Sequence, residues 1–235
     1  MSRSHVAGLA FAFLSLLPAA AAAQPGQPPP PPPPGSSPGY GYGAYGMSVP
    51  GVHEHEGFFL RLGIGGGYHK ASTDYMNTDV AVKGPSGSFQ LALGGNVSRN
   101  LIIYGELFGD AIVEPTVEFG GEEAEADNAT ASIGGIGVGL AYYLDSNVYF
   151  SGTLAATQLR WSEDNGDVEQ DTETEVGPGF VGQIGKEWWV SDQWGLGLAG
   201  QILFSSNKDN DDAVGPEDVT WTTVGLALLF SATYD

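Results

Sequence analysis

The chain of 235 residues contains no cysteine. That excludes disulfides, thiolate metal sites and a lipid-modified cysteine, so an exported chain of this kind must find its stability elsewhere. Positive charge is also scarce: eight Lys and Arg stand against 28 Asp and Glu, a formal net charge of −20. So few cations cannot assemble a basic patch, which excludes nucleic acid as a partner. Beyond the first 23 residues no apolar run reaches the roughly 18 residues that a spanning helix needs. Histidine numbers four, and only His69 lies in the strand-like region. Little material is left for acid–base chemistry.

Residues 1–23 read as a secretory signal peptide. Arg3 supplies the charged start, residues 6–17 the apolar region, and Ala21, Ala22 and Ala23 the small residues that cleavage requires. Residues 24–56 cannot pack a core. Prolines 28–34 favour polyproline II, and Tyr40, Tyr42 and Tyr45 stand between glycines and small residues. A disordered periplasmic linker is expected there. His53 and His55 share one side of an extended segment, but a metal site recruits three or four ligands and no others are near. No cofactor is expected.

From residue 57 onward, eight strand-like runs alternate in period two. Their connections alternate as well. Residues 71–84, 114–127, 161–175 and 206–218 are long and polar; residues 96–100, 145–147 and 191–193 are short. The long connections hold 2, 6, 7 and 5 acids respectively, which is 20 of the 28. On each run one face is large and apolar, as with Phe58, Leu62 and Ile64 or Val224, Leu226, Leu228 and Phe230. The other is Gly, Ala, Ser, Thr and Gln with a few charges. An eight-stranded barrel has an interior just filled by side chains, so the small and polar face belongs inside. Phe58, Tyr104, Tyr142, Tyr143, Tyr149, Phe150, Trp161, Trp188, Trp189, Trp194, Trp221 and Tyr234 lie near run ends, as an interfacial girdle requires. The pattern predicts an all-β, eight-stranded antiparallel up-and-down transmembrane β-barrel over 57–235, with long loops outside and short turns and both termini periplasmic. A soluble lipocalin-like barrel binding an apolar ligand is the inverted alternative. Pro178 cannot donate to a ladder and predicts a strand end or bulge.

The last run, Thr223-Val-Gly225-Leu-Ala-Leu228-Leu-Phe230, resembles the assembly signal of outer-membrane barrels. With the strand count and loop asymmetry, residues 57–235 resemble the small OmpA/OmpX-like outer-membrane barrel superfamily, without the C-terminal peptidoglycan-binding domain of full OmpA-type proteins. The resemblance implies a Gram-negative outer membrane, lipid and lipopolysaccharide contact, recognition by the barrel-assembly machinery through Thr223, Gly225, Leu228 and Phe230, and a monomer. It implies a structural or surface-interaction role, with acidic loops that could meet a surface ligand. A narrow or gated pore is the alternative.

Among candidate sites, Arg61, Glu106 and Asp110 fall on the inward face. An unpaired charge there would be costly. Arg61 is expected to pair with Glu106 in an interior network that includes Asp110, Gln90, Gln183, Glu187 and Gln201. Asp164, Asp167, Asp209, Asp211 and Asp212 form the densest acidic clusters and could attract cations weakly. Neither cluster has the spacing of a twelve-residue calcium loop. His69 has Ser72 and Asp74 close in sequence, but a triad is defined by geometry rather than by proximity along the chain. Catalysis is not expected.

Overall fold

The computed structural model describes residues 57–98, 100–164, 169–209 and 219–234. The expected signal peptide and linker lie outside them. Within them are eleven strands: β1 (Phe58–Tyr75), β2 (Thr78–Ser98), β3 (Leu101–Val113), β4 (Thr116–Phe119), β5 (Glu122–Glu125), β6 (Ala129–Tyr143), β7 (Val148–Asp164), β8 (Glu169–Glu173), β9 (Gly177–Trp189), β10 (Trp194–Asp209) and β11 (Val219–Tyr234). Eight of these close a ring in the order β1, β2, β3, β6, β7, β9, β10, β11, each antiparallel to the next. The seam pairs β1 with β11 from Leu60↔Tyr234 to Ser72↔Thr222. Closure leaves no free edge around the wall, so every ladder group has a neighbour.

The three remaining strands stand at the end bearing the long connections. β4 and β5 form a hairpin that pairs with Val80–Lys83 of β2, beyond the point where β3 leaves it. β8 extends the upper edge of β7. The long connections are therefore shorter as loops than their polarity suggests. The run 71–84 is mostly strand and turns over at Met76 and Asn77, both at positive φ, a two-residue hairpin turn that matches strand twist. Gly120 and Gly121 turn the β4–β5 hairpin in the same way. Polar strands pair as well as apolar ones once clear of lipid. At the opposite end the short turns hold Asn100 and Asn147 at positive φ, a conformation asparagine tolerates.

The side-chain faces divide as the period-two pattern predicts. Phe59, Arg61, Ala92, Tyr104, Glu106, Phe108, Gln183 and Leu203 are buried in the lumen. Leu154 and Leu228 are 74% and 76% exposed on the outer wall, within a continuous belt that includes Ile64, Phe89, Leu107, Val138, Ile184 and Leu226. Such a belt is incompatible with water and fits lipid. The inverted, lipocalin-like alternative is thereby overturned: the large apolar face is outside. The belt ends where outward residues turn polar, at Lys70 and Ser72 on β1 and Thr222 on β11. Pro178 stands at the second position of β9, opposite Ala156, at the strand end its missing donor demands.

Lipid contact at mid-belt makes a definite prediction. Leu154→Arg should lower the stability of the refolded barrel in vesicles by about 2–4 kcal/mol, and Thr222→Arg by no more than about 1 kcal/mol. Urea titrations of the two variants check it. Equal, small effects would remove the lipid-facing assignment.

Candidate functional site

The lumen is built in layers. Nearest the short-turn end lies Arg61, 1% exposed. Its guanidinium carbon sits 3.9 Å from the Tyr149 ring centroid, 5.1 Å from Phe59 and 5.8 Å from Tyr143. It donates to the Tyr143 hydroxyl. Its Nε lies 3.3 Å from Glu187 Oε1, close enough for an ion pair but not aligned as a hydrogen bond. Glu187 also accepts from Thr233 at 2.7 Å and from Tyr143 at 3.0 Å. The cation therefore has a carboxylate and three aromatic faces around it, which is what a buried guanidinium requires.

Two expectations are corrected here. Arg61 pairs with Glu187 and not with Glu106. Glu106 instead accepts from Thr153, whose hydroxyl is also 3.0 Å from that of Tyr104. Both acids face inward, but strand tilt sets Glu187 level with Arg61. Likewise Tyr104, Tyr143 and Tyr149 are not girdle residues: at 3%, 0% and 0% exposure they fill the lumen, and Trp161 and Trp221 line a cavity nearer the loops instead of a girdle. Inward glycines make their room, since a Cβ at Gly139 would strike Tyr104 and one at Gly185 would strike Tyr149. The lower girdle is real where Phe58, Trp194 and Tyr234 pack together, with centroids 6.4 Å and 5.4 Å from Tyr234.

Above this plug Gln183 donates to both Gln90 and Gln201, the latter at 2.8 Å. The expected glutamines thus meet as a separate belt across β2, β9 and β10. Beside it Asn207, fully buried, donates to the carbonyls of Thr157 at 2.7 Å and Glu175 at 3.3 Å. This side chain stitches β7 to β10 beside Pro178, where the ladder lacks a donor. Phe108, Ile133, Val181 and Leu203 form an apolar cluster at the same height.

Higher still, Asp110 belongs to a different group from Arg61. His69 Nδ1 is 2.6 Å from Ser86 Oγ, and its Nε2 is 3.7 Å from Asp110 Oδ1. The imidazole occupies space left by Gly225, where a Cβ would overlap the ring. Ser72 and Asp74, the sequence neighbours, are offset by an odd number of residues and point away from the lumen. Ser86 and Asp110 come from β2 and β3, and only the register of Ser88 with Asp110 and of His69 with Gly84 brings them together. Above this trio is a cavity of about 360 Å³ lined by Val82, Ile112, Ile133 and Leu159, with His69, Asp110 and Thr223 also in its lining. Ser86 is not in that lining, so of this trio the cavity meets the carboxylate and the imidazole.

At the loop end Lys83 bonds Glu118 at 2.9 Å and Glu123 at 2.7 Å, fastening the β4–β5 hairpin to β2. Arg160 pairs with Glu173 and Ser162 donates to Asp171 at 2.5 Å, the rungs that hold β8 on β7. Hydrogen bonding to Lys83 holds the Glu118 carboxyl below the usual glutamate range, and the same contacts raise the Lys83 ammonium. Of the cation candidates, Asp209 lines the cavity mouth. Asp167, Asp211 and Asp212, and the side chain of Asp164, lie outside the described residues. Thr223 and Gly225 of the assembly signal face inward, and Leu228 and Phe230 lie in the outer belt.

These features define a small, closed, side-chain-filled transmembrane β-barrel with a vestibule at its loop end. No protein-family model matches the sequence, and no curated protein matches it as a relative. Among solved structures the chain is similar to Neisserial surface protein A, NspA, at 15% identity over 76% of this chain and 97% of that one, with a TM-score of 0.48. It is also similar to the outer membrane protein OprG from Pseudomonas aeruginosa, at 13% identity over 77% and 97%, TM-score 0.46. A third is Ail, the attachment invasion locus protein of Yersinia pestis, at 11% identity over 75% and 99%, TM-score 0.44. These neighbours are small outer-membrane barrels; the class of this chain rests on its own ring closure and belt.

Two outcomes test the site. Glu187→Ala should cost about 3–5 kcal/mol, because it strands a buried guanidinium. Glu106→Ala should cost about 1–3 kcal/mol, the loss of a buried hydrogen bond. Urea midpoints in vesicles compare them, and a reversed order would restore the Arg61–Glu106 pairing. Secondly, Lys83→Met should raise the Glu118 pKa toward the ordinary glutamate range. A carboxyl NMR titration reads this. In the native chain the depressed pKa stabilises the hairpin's attachment above the unfolded-state value, and that contribution is lost as pH falls through the folded one.

Proposed function

We propose that this chain is a Gram-negative outer-membrane β-barrel whose body is a blocked anchor and whose work is done at the loop end, on the cell surface. The observation that carries the reading is the Arg61 plug. A guanidinium ringed by Tyr143, Tyr149, Phe59 and Glu187 fills the lower lumen, and the Gln90–Gln183–Gln201 belt crosses it above. An eight-stranded lumen has no spare width for water beside such groups. The short turns, and the start of β1 and end of β11 that meet at Phe58 and Tyr234, fit the periplasmic side, and the β4–β5 and β8 extensions fit the outside.

In this reading the acidic loops are the interacting surface. Their charge repels anions and attracts divalent cations that bridge to lipopolysaccharide. Thr223, Gly225, Leu228 and Phe230 would be read by the barrel-assembly machinery before insertion. Planar-bilayer recording tests the blocked body. The refolded protein should show no steady unitary conductance steps, and Arg61→Ser should show more current than wild type. Steady steps from the wild type would favour a narrow pore over a surface anchor.

A further inference from the structure

The lumen above the glutamine belt is not filled. The cavity of about 360 Å³ there has a wall formed by Val82, Ile112, Ile133 and Leu159, with Trp161 and Trp221 also lining it. At about 30 Å³ per water-sized unit, it holds roughly a dozen non-hydrogen atoms. An apolar wall with a few convergent polar groups is the usual make-up of a small-molecule site. The buried polar groups in its lining are His69, Asp110 and Thr223; Asp209 and Arg160, the latter paired with Glu173, line it in more exposed positions.

Those groups point to the ligand's chemistry. Asp110 is 4% exposed, and both its carboxylate oxygens lack a hydrogen-bond partner among the described residues. His69 Nε2 and Thr223 Oγ1 are in the same position. The imidazole lies 3.7 Å from Oδ1 and the Ser88 hydroxyl of β2 stands beside Asp110, yet neither closes a well-aligned hydrogen bond on the carboxylate. A buried carboxylate in this state calls for a donor. The loops act in the same sense. With 20 of the 28 acids in the four long connections, the entrance concentrates cations and turns anions away.

We propose that this vestibule binds a small amphipathic amine. Its protonated nitrogen donates to Asp110, and its apolar body packs on Val82, Ile112, Ile133 and Leu159. A carboxylate or phosphate would bring like charge to Asp110. A hydrocarbon would leave the carboxylate unsatisfied. The proposal goes beyond the surface-anchor reading and does not require conduction, since a lumen blocked below can still hold a ligand above.

The test uses barrel refolded in lipid nanodiscs and three probes of similar shape: 2-phenylethylamine, 2-phenylethanol and phenylacetate. Trp161 and Trp221 line the cavity, so tryptophan emission reports occupancy. The amine should give a saturable change that the alcohol and the carboxylate do not match. Asp110→Asn, retaining the boiling-dependent gel shift of a folded barrel, should weaken it at least about tenfold, the scale of a charge-assisted hydrogen bond. No saturable response to the amine would overturn the proposal. So would equal binding of either other probe, or unchanged affinity in the variant. Discrimination among the probes is read on the wild type, so a folding defect in the variant would not spoil the test.

Discussion

The barrel is organised around one buried cation. Arg61 on β1 is held by Tyr143 on β6, Tyr149 on β7 and Glu187 on β9, and Glu187 is held in turn by Thr233 on β11. Four of the eight wall strands therefore meet at one guanidinium, and a fifth holds its carboxylate partner. The consequence for register is severe. Side-chain direction alternates with period two, so slipping β1 by one residue would turn Arg61 into lipid and Leu62 into the plug. Arginine this close to the interface costs only about 0–1 kcal/mol on the lipid face, so the larger penalty is the buried Glu187 left without its cation. The apolar belt alone tolerates many registers. The charge in the lumen rejects all but one.

The same constraint explains where glycine is spent. Tyr104 and Tyr149 are large for an eight-stranded lumen, and each lies over a glycine on a facing strand, at Gly139 and Gly185. Gly225 does this for His69. Each filling residue is thus matched to a glycine directly beside it on the neighbouring strand, and the interior packs as complementary cross-strand pairs. Asn207 solves a different problem. Its side chain takes two carbonyls near Pro178, the second residue of β9, which cannot donate.

What could be read from the sequence follows from what period two encodes. Inward and outward were legible for Arg61, Glu106, Asp110, Gln90, Gln183, Glu187 and Gln201, because parity is a local property. Height in the lumen was not, because it depends on tilt and stagger accumulated around the ring. Glu106 was therefore an equally good partner for Arg61 on paper, and Asp110 was placed in the wrong network. His69 shows the same limit, since its neighbours Ser86 and Asp110 lie 17 and 41 positions away. The parity of Ser72 and Asp74 could have excluded them earlier. Tyr104, Tyr143 and Tyr149 were misplaced because an aromatic near a strand end suits a girdle or a plug equally, and only parity tells them apart. Residues 71–84 looked like loop because polarity was taken for irregularity, although they alternate and pair as a hairpin.

The division of the lumen has a physical logic. In its lower half charge is met by charge and ring, so nothing can enter without breaking an ion pair. In its upper half the filling changes to Val, Ile and Leu of moderate size, which line the wall but do not reach across. The boundary falls at His69 and Asp110, the buried titratable pair that lines the cavity together with Val82, Ile112, Ile133 and Leu159. A carboxylate needed only for packing would be expected to end in a closed set of donors, as Glu187 does with Thr233 and Tyr143. Asp110 does not, although it is equally buried. Two acids on one inward surface, one fully answered and one facing a space of molecular size, mark the difference between a group that holds the barrel together and a group placed to receive something.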